Sequence, residues 1–425
     1  MNARLPSLGW SSPAVLAQRA SGRSWSGWRD YAPSAVMAVL LAAALGIWGL
    51  PGFAGTDYEA EAAEAFGALA AGDLERFLGV VPAYGGSFVL RAPFAWTAGL
   101  LGGGELAVYR AVSLVCLLAG VALAVVVVGR MRAQGRPRLS QAVVLVTLVA
   151  TPQALRALLI GHPEELLGGA LCVGAVLLAP NRPALGAVLL GLAVANKPWA
   201  LVAAPVVLAV VPSRAVVRTA LLSGAITLAV MAPLVVFGGS FGTATTSLST
   251  TGTIYQPWQA WYLLGDETGQ TLPGQDHRIG TRLAPTWVPP ITRPLVLGLP
   301  ILLAGAWWWR RRGRVAPVDG LLLLALALHL RCLLDPWNNE YYALPAIFAL
   351  VAWEGLTRER RAPVVTLGVL VLHWLTFMGL RETVSPDVSS LFYLAWALPL
   401  AAWMAIRLFR PAGVQEDLPA IALAR

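Results

Sequence analysis

Lysine is almost missing from this chain. Its 425 residues hold one, Lys197, so nearly all of the 31 basic side chains are arginine. Charge of either sign is scarce, at 12% of residues, whereas an average soluble domain carries roughly a quarter. That shortage, beside 57% hydrophobic residues, excludes an ordinary water-soluble domain. Cysteine is equally sparse. Cys116, Cys172 and Cys332 fall in three separate apolar runs, which fits buried inert thiols and excludes a disulfide framework or a cysteine metal site. The net charge of +9 raises a nucleic-acid partner. In a chain this apolar, however, basic residues more often record membrane orientation. Their placement decides between the two.

What the chain has in abundance is long apolar runs. A spanning helix needs roughly 17–25 residues, and runs near that length lie at about 34–54, 106–128, 139–157, 164–180, 183–196, 198–211, 215–237, 294–309, 316–334, 340–354, 363–380 and 388–407. The expected fold class is therefore all-α, a polytopic membrane bundle of about 12 spans. Leu221–Phe237 and Leu295–Trp309 are apolar nearly all round, as lipid-facing or bundle-core helices are. Arg4, Arg19, Arg23 and Arg29 precede the first run and place the N-terminus inside. Alternating the loops from there puts 21 arginines and 6 acids inside, against 10 basic residues and 16 acids outside, which accounts for all 31 basic and 22 acidic residues. The bias follows the positive-inside rule and leaves no stripe for nucleic acid. The expected organisation is a cytoplasmic segment 1–33, a multi-span domain 34–410 and a cytoplasmic tail 411–425. Outer loops occupy 55–105 and 238–293. The run from Ser34 is long enough to stay as an anchor rather than be cleaved as a signal peptide.

Polar chemistry collects on the outer side. Thr56-Asp57-Tyr58-Glu59 reads as a capping box opening a helix that Ala-rich sequence continues to Gly72. On such a helix Asp57, Glu61 and Glu64 share a face. Asp57 either complements the helix dipole or stands as a base held at the membrane surface. His162 and Glu164 flank Pro163, which suits a first helical turn, and His162 is either a satisfied structural group or part of a site. Lys197 lies where two short apolar stretches meet, beside Trp199. It is either a snorkelling cation or a phosphate contact.

Two further segments carry candidates. Tyr255-Gln256-Pro257-Trp258-Gln259-Ala260-Trp261-Tyr262 interleaves aromatic faces, which stack on sugar rings, with amides, which bond hydroxyls. An interfacial aromatic belt explains the same residues. Asp335 to Tyr342 packs two acids, two asparagines and three aromatics into eight residues, after an intramembrane Arg331. Asp335, Asn338 and Tyr342 are its substrate-binding candidates, with Glu59, Glu164, Tyr255, Gln256, Trp258 and Trp261 elsewhere.

The stretches Gly161-His162-Pro163-Glu164-Glu165, Leu192-Ala193-Val194-Ala195-Asn196-Lys197-Pro198-Trp199 and Leu334-Asp335-Pro336-Trp337-Asn338, with an acid early in the first outer loop, resemble the GT-C superfamily of membrane glycosyltransferases. The likeness is greatest to bacterial, mainly actinobacterial, polyprenyl-phosphate-mannose-dependent mannosyltransferases, and runs over most of residues 34–407. It implies a multi-span fold with a large first outer loop, a polyprenyl-phosphate sugar donor reached from the outer leaflet, and a loop aspartate as catalytic base. Carried over, that base is Asp57. Many relatives show two adjacent acids here, whereas Tyr58 separates Asp57 from Glu59.

The chemistry suggests Lys197, Arg331 and His162 at the donor phosphate. A phosphate leaves readily, so one base suffices where a glycosidase needs two carboxyl groups. The expected reaction inverts the anomeric carbon and moves a sugar, mannose by resemblance, to a lipid or cell-envelope glycan acceptor. A lipid phosphodiester carries one charge, so neither a metal nor another cofactor is expected. A secondary transporter or flippase would also fit a dozen spans, but transporters place polar groups at mid-membrane in repeated broken helices, and no repeat is visible. A non-catalytic sensor or scaffold would explain the Trp-rich loop without using Asp57.

Overall fold

The computed structural model describes residues 31–81, 85–238, 254–267, 280–311, 317–335, 338–357, 362–381 and 383–410. Helix α1, Ala32–Gly49, carries a proline in its first turn and leads into four shorter helices: α2 (Asp57–Glu61), α3 (Ala63–Ala70), α4 (Leu74–Val80) and α5 (Gly86–Leu100). The 29 residues of α6, Glu105–Ala133, end in Arg130 and Arg132, cations placed to complement the helix dipole. Two helices, α7 (Arg138–Val149) and α8 (Pro152–Ile160), share the run expected as one helix. The break is local chemistry, because the Thr151 side chain accepts from the Ala154 N–H at 3.0 Å and starts a new helix with Pro152 in its first turn.

The remaining helices are α9 (Glu164–Leu178), α10 (Pro183–Asn196), α11 (Ala204–Val210), α12 (Val216–Phe237), α13 (Pro289–Arg311), α14 (Asp319–Leu334), α15 (Leu344–Leu356), α16 (Val364–Trp374) and α17 (Pro386–Phe409). A 3₁₀ stretch, Pro198–Ala203, joins α10 to α11, and α16 ends in a π turn, Leu375–Gly379.

Among the described residues, six helices are long and apolar enough to cross a membrane: Ala32–Gly49, Glu105–Ala133, Arg138–Ile160, Ser213–Phe237, Pro289–Arg311 and Pro386–Phe409. The shorter apolar helices include α10, the 198–210 stretch, α15 and the 364–379 stretch. Long and short helices differ in position. Leu221 and Leu228 on α12 are 71% and 70% exposed, and Leu302 and Trp309 on α13 are exposed as well. Faces of that size and composition are incompatible with water as solvent and are what hydrocarbon accepts. In contrast, every residue of α15 is buried. The chain is thus an integral membrane protein, with short helices α9, α14 and α15 at its centre.

The buried acid on α15 shows how polar groups are satisfied there. Glu354 accepts from the Val365 N–H at 3.1 Å, and from the Thr366 N–H and hydroxyl at 2.7 Å each. Its carboxylate thereby caps the start of α16, a structural role for an intramembrane charge.

The segment between α12 and α13 adds the only sheet among the described residues. Three two-residue antiparallel strands, β1 (Ile254–Tyr255), β2 (Asp266–Glu267) and β3 (Arg282–Leu283), lie in the order β1-β3-β2. Arg282 on the middle strand bonds Asp387 Oδ1 at 2.9 Å and fastens the loop to the start of α17.

The segment between α1 and α6 departs from expectation. The helix expected to run from Asp57 to Gly72 breaks at Ala62 into α2 and α3. Glu64 consequently leaves the face it was expected to share with Asp57 and pairs with Arg76 at the exposed surface, 3.0 Å away. The capping box is also incomplete. Thr56 Oγ1 donates to the Phe53 carbonyl at 2.5 Å rather than capping, while the Glu59 carboxylate accepts from the Gly55 N–H at 2.6 Å.

Candidate active site

The centre of the polar cluster is the turn between α8 and α9. Gly161 ends α8 at φ +105°, a left-handed conformation that favours glycine. A side chain there would also collide with α2, because a Cβ would stand 2.4 Å from the Tyr58 backbone nitrogen. This close approach carries His162 onto the first outer loop. Tyr58 completes the contact from the other side, buried against Phe53, Phe66 and Tyr109.

His162 donates through Nε2 to Asp57 Oδ2 at 3.0 Å and through Nδ1 to Glu164 Oε1 at 2.9 Å. Both acceptors are carboxylates, so the ring needs a proton on each nitrogen and is an imidazolium. Its environment agrees. Burial and Lys197 push its pKa down, but the Glu164 charge and the hydrogen bonds to both carboxylates outweigh them and raise it to about 9. The His162 ring also stacks on Tyr341, with centroids 4.8 Å apart.

Glu164 is a buried hub at the start of α9. Beside the His162 contact, its Oε1 lies 2.9 Å from Lys197 Nζ, and its Oε2 lies 3.5 Å from Arg91 Nη2. Lys197 also reaches Glu165 Oε1 at 3.2 Å, which in turn accepts from the Trp199 indole at the same distance. Burial opposes the charge on Lys197, yet the two glutamates hold its pKa above the ordinary value. The amide of Asn196 donates to the Glu164 carbonyl at 3.0 Å and locks the end of α10 onto the start of α9. A buried charge network of this kind persists only when each ion is paired and bonded, and here three helices and a loop supply the partners.

Arg331, at the end of α14, is sandwiched between aromatic rings. Its guanidinium carbon lies 4.9 Å from the Trp199 ring centre and 4.6 Å from that of Tyr342. It is buried, and the nearest Asp335 oxygen stands 3.8 Å from its Nε. Both Nε and Nη1 lack a hydrogen-bond acceptor. Buried guanidinium donors without acceptors are uncommon and call for an explanation. Asp57, in contrast, is half-exposed, and its second oxygen, Oδ1, makes no hydrogen bond among the described residues. The cluster therefore holds an open carboxylate oxygen on Asp57 and, on Arg331, two guanidinium donors without acceptors beside the Asp335 charge.

The structure brings Asp57, His162, Glu164, Lys197, Arg331, Asp335 and Tyr342 together. Glu59 is turned onto the backbone of its own loop. Two of the aromatic-loop candidates pack elsewhere. Tyr255 is buried with Tyr262 and Val288, and Trp258 donates to Ser389 Oγ at 3.0 Å and packs on Phe377. Asn338 spends its amide on the Trp258 carbonyl at 2.6 Å. Gln256 is buried with its carbonyl oxygen unpartnered, and Trp261 donates to the Leu334 carbonyl at 2.9 Å, which docks this loop on α14 next to Asp335. Trp337 lies outside the described residues. Sequence reasoning missed Arg91, although it is the single charge in the apolar run 86–100, and missed the stacking role of Tyr341.

The sequence profile of Glycosyltransferase family 87 matches residues 86–336, more than half of the chain. The chain belongs to that family. This membrane glycosyltransferase has no match among curated proteins. The matched segment holds Arg91, His162, Glu164, Glu165, Lys197, Trp199, Arg331 and Asp335, whereas Asp57 precedes it.

Proposed function

We propose that this glycosyltransferase moves a sugar from a polyprenyl-phosphate donor to an envelope acceptor at the outer face of the membrane, with Asp57 as general base and Arg331 holding the donor phosphate. The observation that carries the reading is the pairing of an open aspartate oxygen with a buried, stacked guanidinium whose Nε and Nη1 lack acceptors.

In this mechanism Asp57 Oδ1 takes the proton of the acceptor hydroxyl as its oxygen attacks the anomeric carbon. The bond from that carbon to the phosphate oxygen breaks, its electron pair leaves with the phosphate, and the configuration inverts. The leaving phosphate passes from one negative charge to two, and that gain is what Arg331 is placed to stabilise. His162 orients the Asp57 carboxylate through Oδ2 and leaves Oδ1 for the acceptor. Lys197 is engaged by Glu164 and Glu165 and holds Glu164 in place beside His162. Mannose is the sugar we infer from the GT-C likeness, and twelve crossings would require the short central helices to span with the long ones.

The donor is tested by supplying membranes with a polyprenyl-phosphate sugar in EDTA. Transfer should proceed at the untreated rate, because one phosphate charge can be met by arginine alone. Activity lost in EDTA and regained with manganese would instead indicate a diphosphate-linked donor. Sidedness is tested with Ser240→Cys and Gly274→Cys in a chain freed of its native cysteines. Both should react with an impermeant thiol reagent added outside, and reaction only after the cytoplasmic face is opened would invert the assignment.

A further inference from the structure

A cavity of about 190 Å³ lies between α8, α16 with its π turn, and the segment leading to α15. Gln153 and His373 form part of its lining, and the ion-paired Arg156 and Glu340 form another part. Residue 341, directly after Glu340, is the tyrosine that stacks on His162. The same α8 that carries Gln153 runs on into Gly161 and His162. Two chain segments that line the cavity thus run on into the Asp57 cluster.

Its polar lining is incompletely satisfied. Gln153 is 3% exposed, and its amide nitrogen lies 3.1 Å from His373 Nδ1, which leaves the histidine proton on Nε2. Gln153 Oε1 is buried without a partner. Gln153 and His373 both line the cavity, and an unpartnered amide oxygen near a ring N–H matches a hydroxyl group, which both donates and accepts. The opposite lining is apolar, with Leu159 half-buried, and Trp374 and Met378 exposed to 49% and 47% on the lipid-facing side of α16. The π turn Leu375–Gly379 carries Met378 and Phe377 on this wall, a geometry that often marks functional positions.

We propose that this cavity is the acceptor subsite, taking a hydroxylated headgroup whose apolar chain leaves past Trp374 and Met378 into the bilayer. The proposal rests on the glycosyltransferase reading above and adds the place and chemical class of the acceptor. Gln153 and His373 bind the headgroup hydroxyls, and the Arg156–Glu340 pair borders them toward Tyr341.

The test uses the full-length protein in lipid nanodiscs and a photoreactive octyl glucoside, a sugar headgroup on a short chain with a diazirine near the linkage. Labelling should map to peptides within 152–160 and 371–379, and unlabelled octyl glucoside should displace it while octanol should not. Gln153→Leu should lower labelling about fivefold or more, the worth of one lost hydrogen bond. That substitution also deprives His373 of its partner, so Leu159→Trp, which fills the cavity and removes no polar group, is the second variant and should lower labelling comparably while thermal unfolding stays at the wild-type temperature. Labelling spread over lipid-facing α12 and α13, equal competition by octanol, or unchanged labelling in a folded Leu159→Trp protein would overturn the proposal. Repeating the mapping in Asp57→Asn separates the two claims. Labelling there should match wild type, so normal sugar transfer by that variant would remove the base assignment alone, and absent labelling would remove the cavity alone.

Discussion

Asp57→Asn should lower sugar transfer about 100- to 10,000-fold, the usual contribution of a general base, while donor binding stays close to wild type. Asparagine keeps the size of the side chain and can still accept the His162 Nε2 hydrogen bond that now ends on Oδ2 at 3.0 Å. The His162 contact, the α2 turn and the neighbouring Tyr58 packing are thus retained. What is lost is the capacity to take a proton from the acceptor. A helix-start role makes the opposite forecast, because asparagine serves as well as aspartate in the first turn of a helix. Initial rates with a polyprenyl-phosphate sugar in membranes carrying the native acceptor distinguish the two. Near-normal turnover in Asp57→Asn would leave the outer cluster without a base.

Arg331→Ala should cost about 100- to 1,000-fold in turnover, the range seen when one preorganised donor to a developing charge is removed. The donor KM should rise with it, since the phosphate is charged before the reaction as well as during it. Lysine should rescue little. Its ammonium cannot reproduce a planar fork held between Trp199 and Tyr342. If Arg331 only braces the end of α14 against Asp335, the loss should follow thermal stability and leave the donor KM of the surviving enzyme unchanged. Steady-state kinetics of Arg331→Ala and Arg331→Lys, each beside a thermal melt, decide between these roles.

The Arg331 environment shows which features were legible in the sequence. An arginine inside an apolar run is costly in a membrane and marks itself as functional or paired, so Arg331 and its density of polar neighbours stood out. His162 and Glu164 stood out at a helix start around Pro163 and Lys197 as the one lysine of the chain, and the structure joins them and Asp57 through contacts of 2.9–3.0 Å. The partners of each group were not legible. That Lys197 answers to two glutamates at once depends on how α9 and α10 pack, which no local pattern encodes. Arg91 escaped notice because its partner Glu164 lies far along the chain, and a single arginine in a run at the membrane surface reads equally well as a snorkelling side chain.

The apolar runs themselves were read from composition, and helices occupy nearly all of them. Their lengths were not readable in the same way. The Thr151-Pro152 pair restarts the helix within one run, and the run after Lys197 opens as a 3₁₀ stretch. Ala62 breaks the first outer helix with no proline and no glycine to announce it. In the aromatic loop, composition favoured sugar-stacking faces. Burial has turned both Tyr255 and Trp258 inward, Tyr255 into a small core of the loop's own with Tyr262 and Val288, and Trp258 into the bundle core against Phe377, because aromatic residues bury much apolar area with few side chains.

The central claim is that the outer cluster around Asp57 binds a polyprenyl-phosphate sugar with its anomeric carbon facing the open aspartate oxygen. An electron cryo-microscopy map of the Asp57→Asn protein, saturated with that donor in nanodiscs, tests it most directly. The account expects phosphate density against the free edge of the Arg331 guanidinium, between Trp199 and Tyr342, and sugar density between the phosphate and residue 57. Phosphate density at the inner face, or an outer cluster with Arg331 unoccupied while the donor sits elsewhere on the bundle, would contradict it.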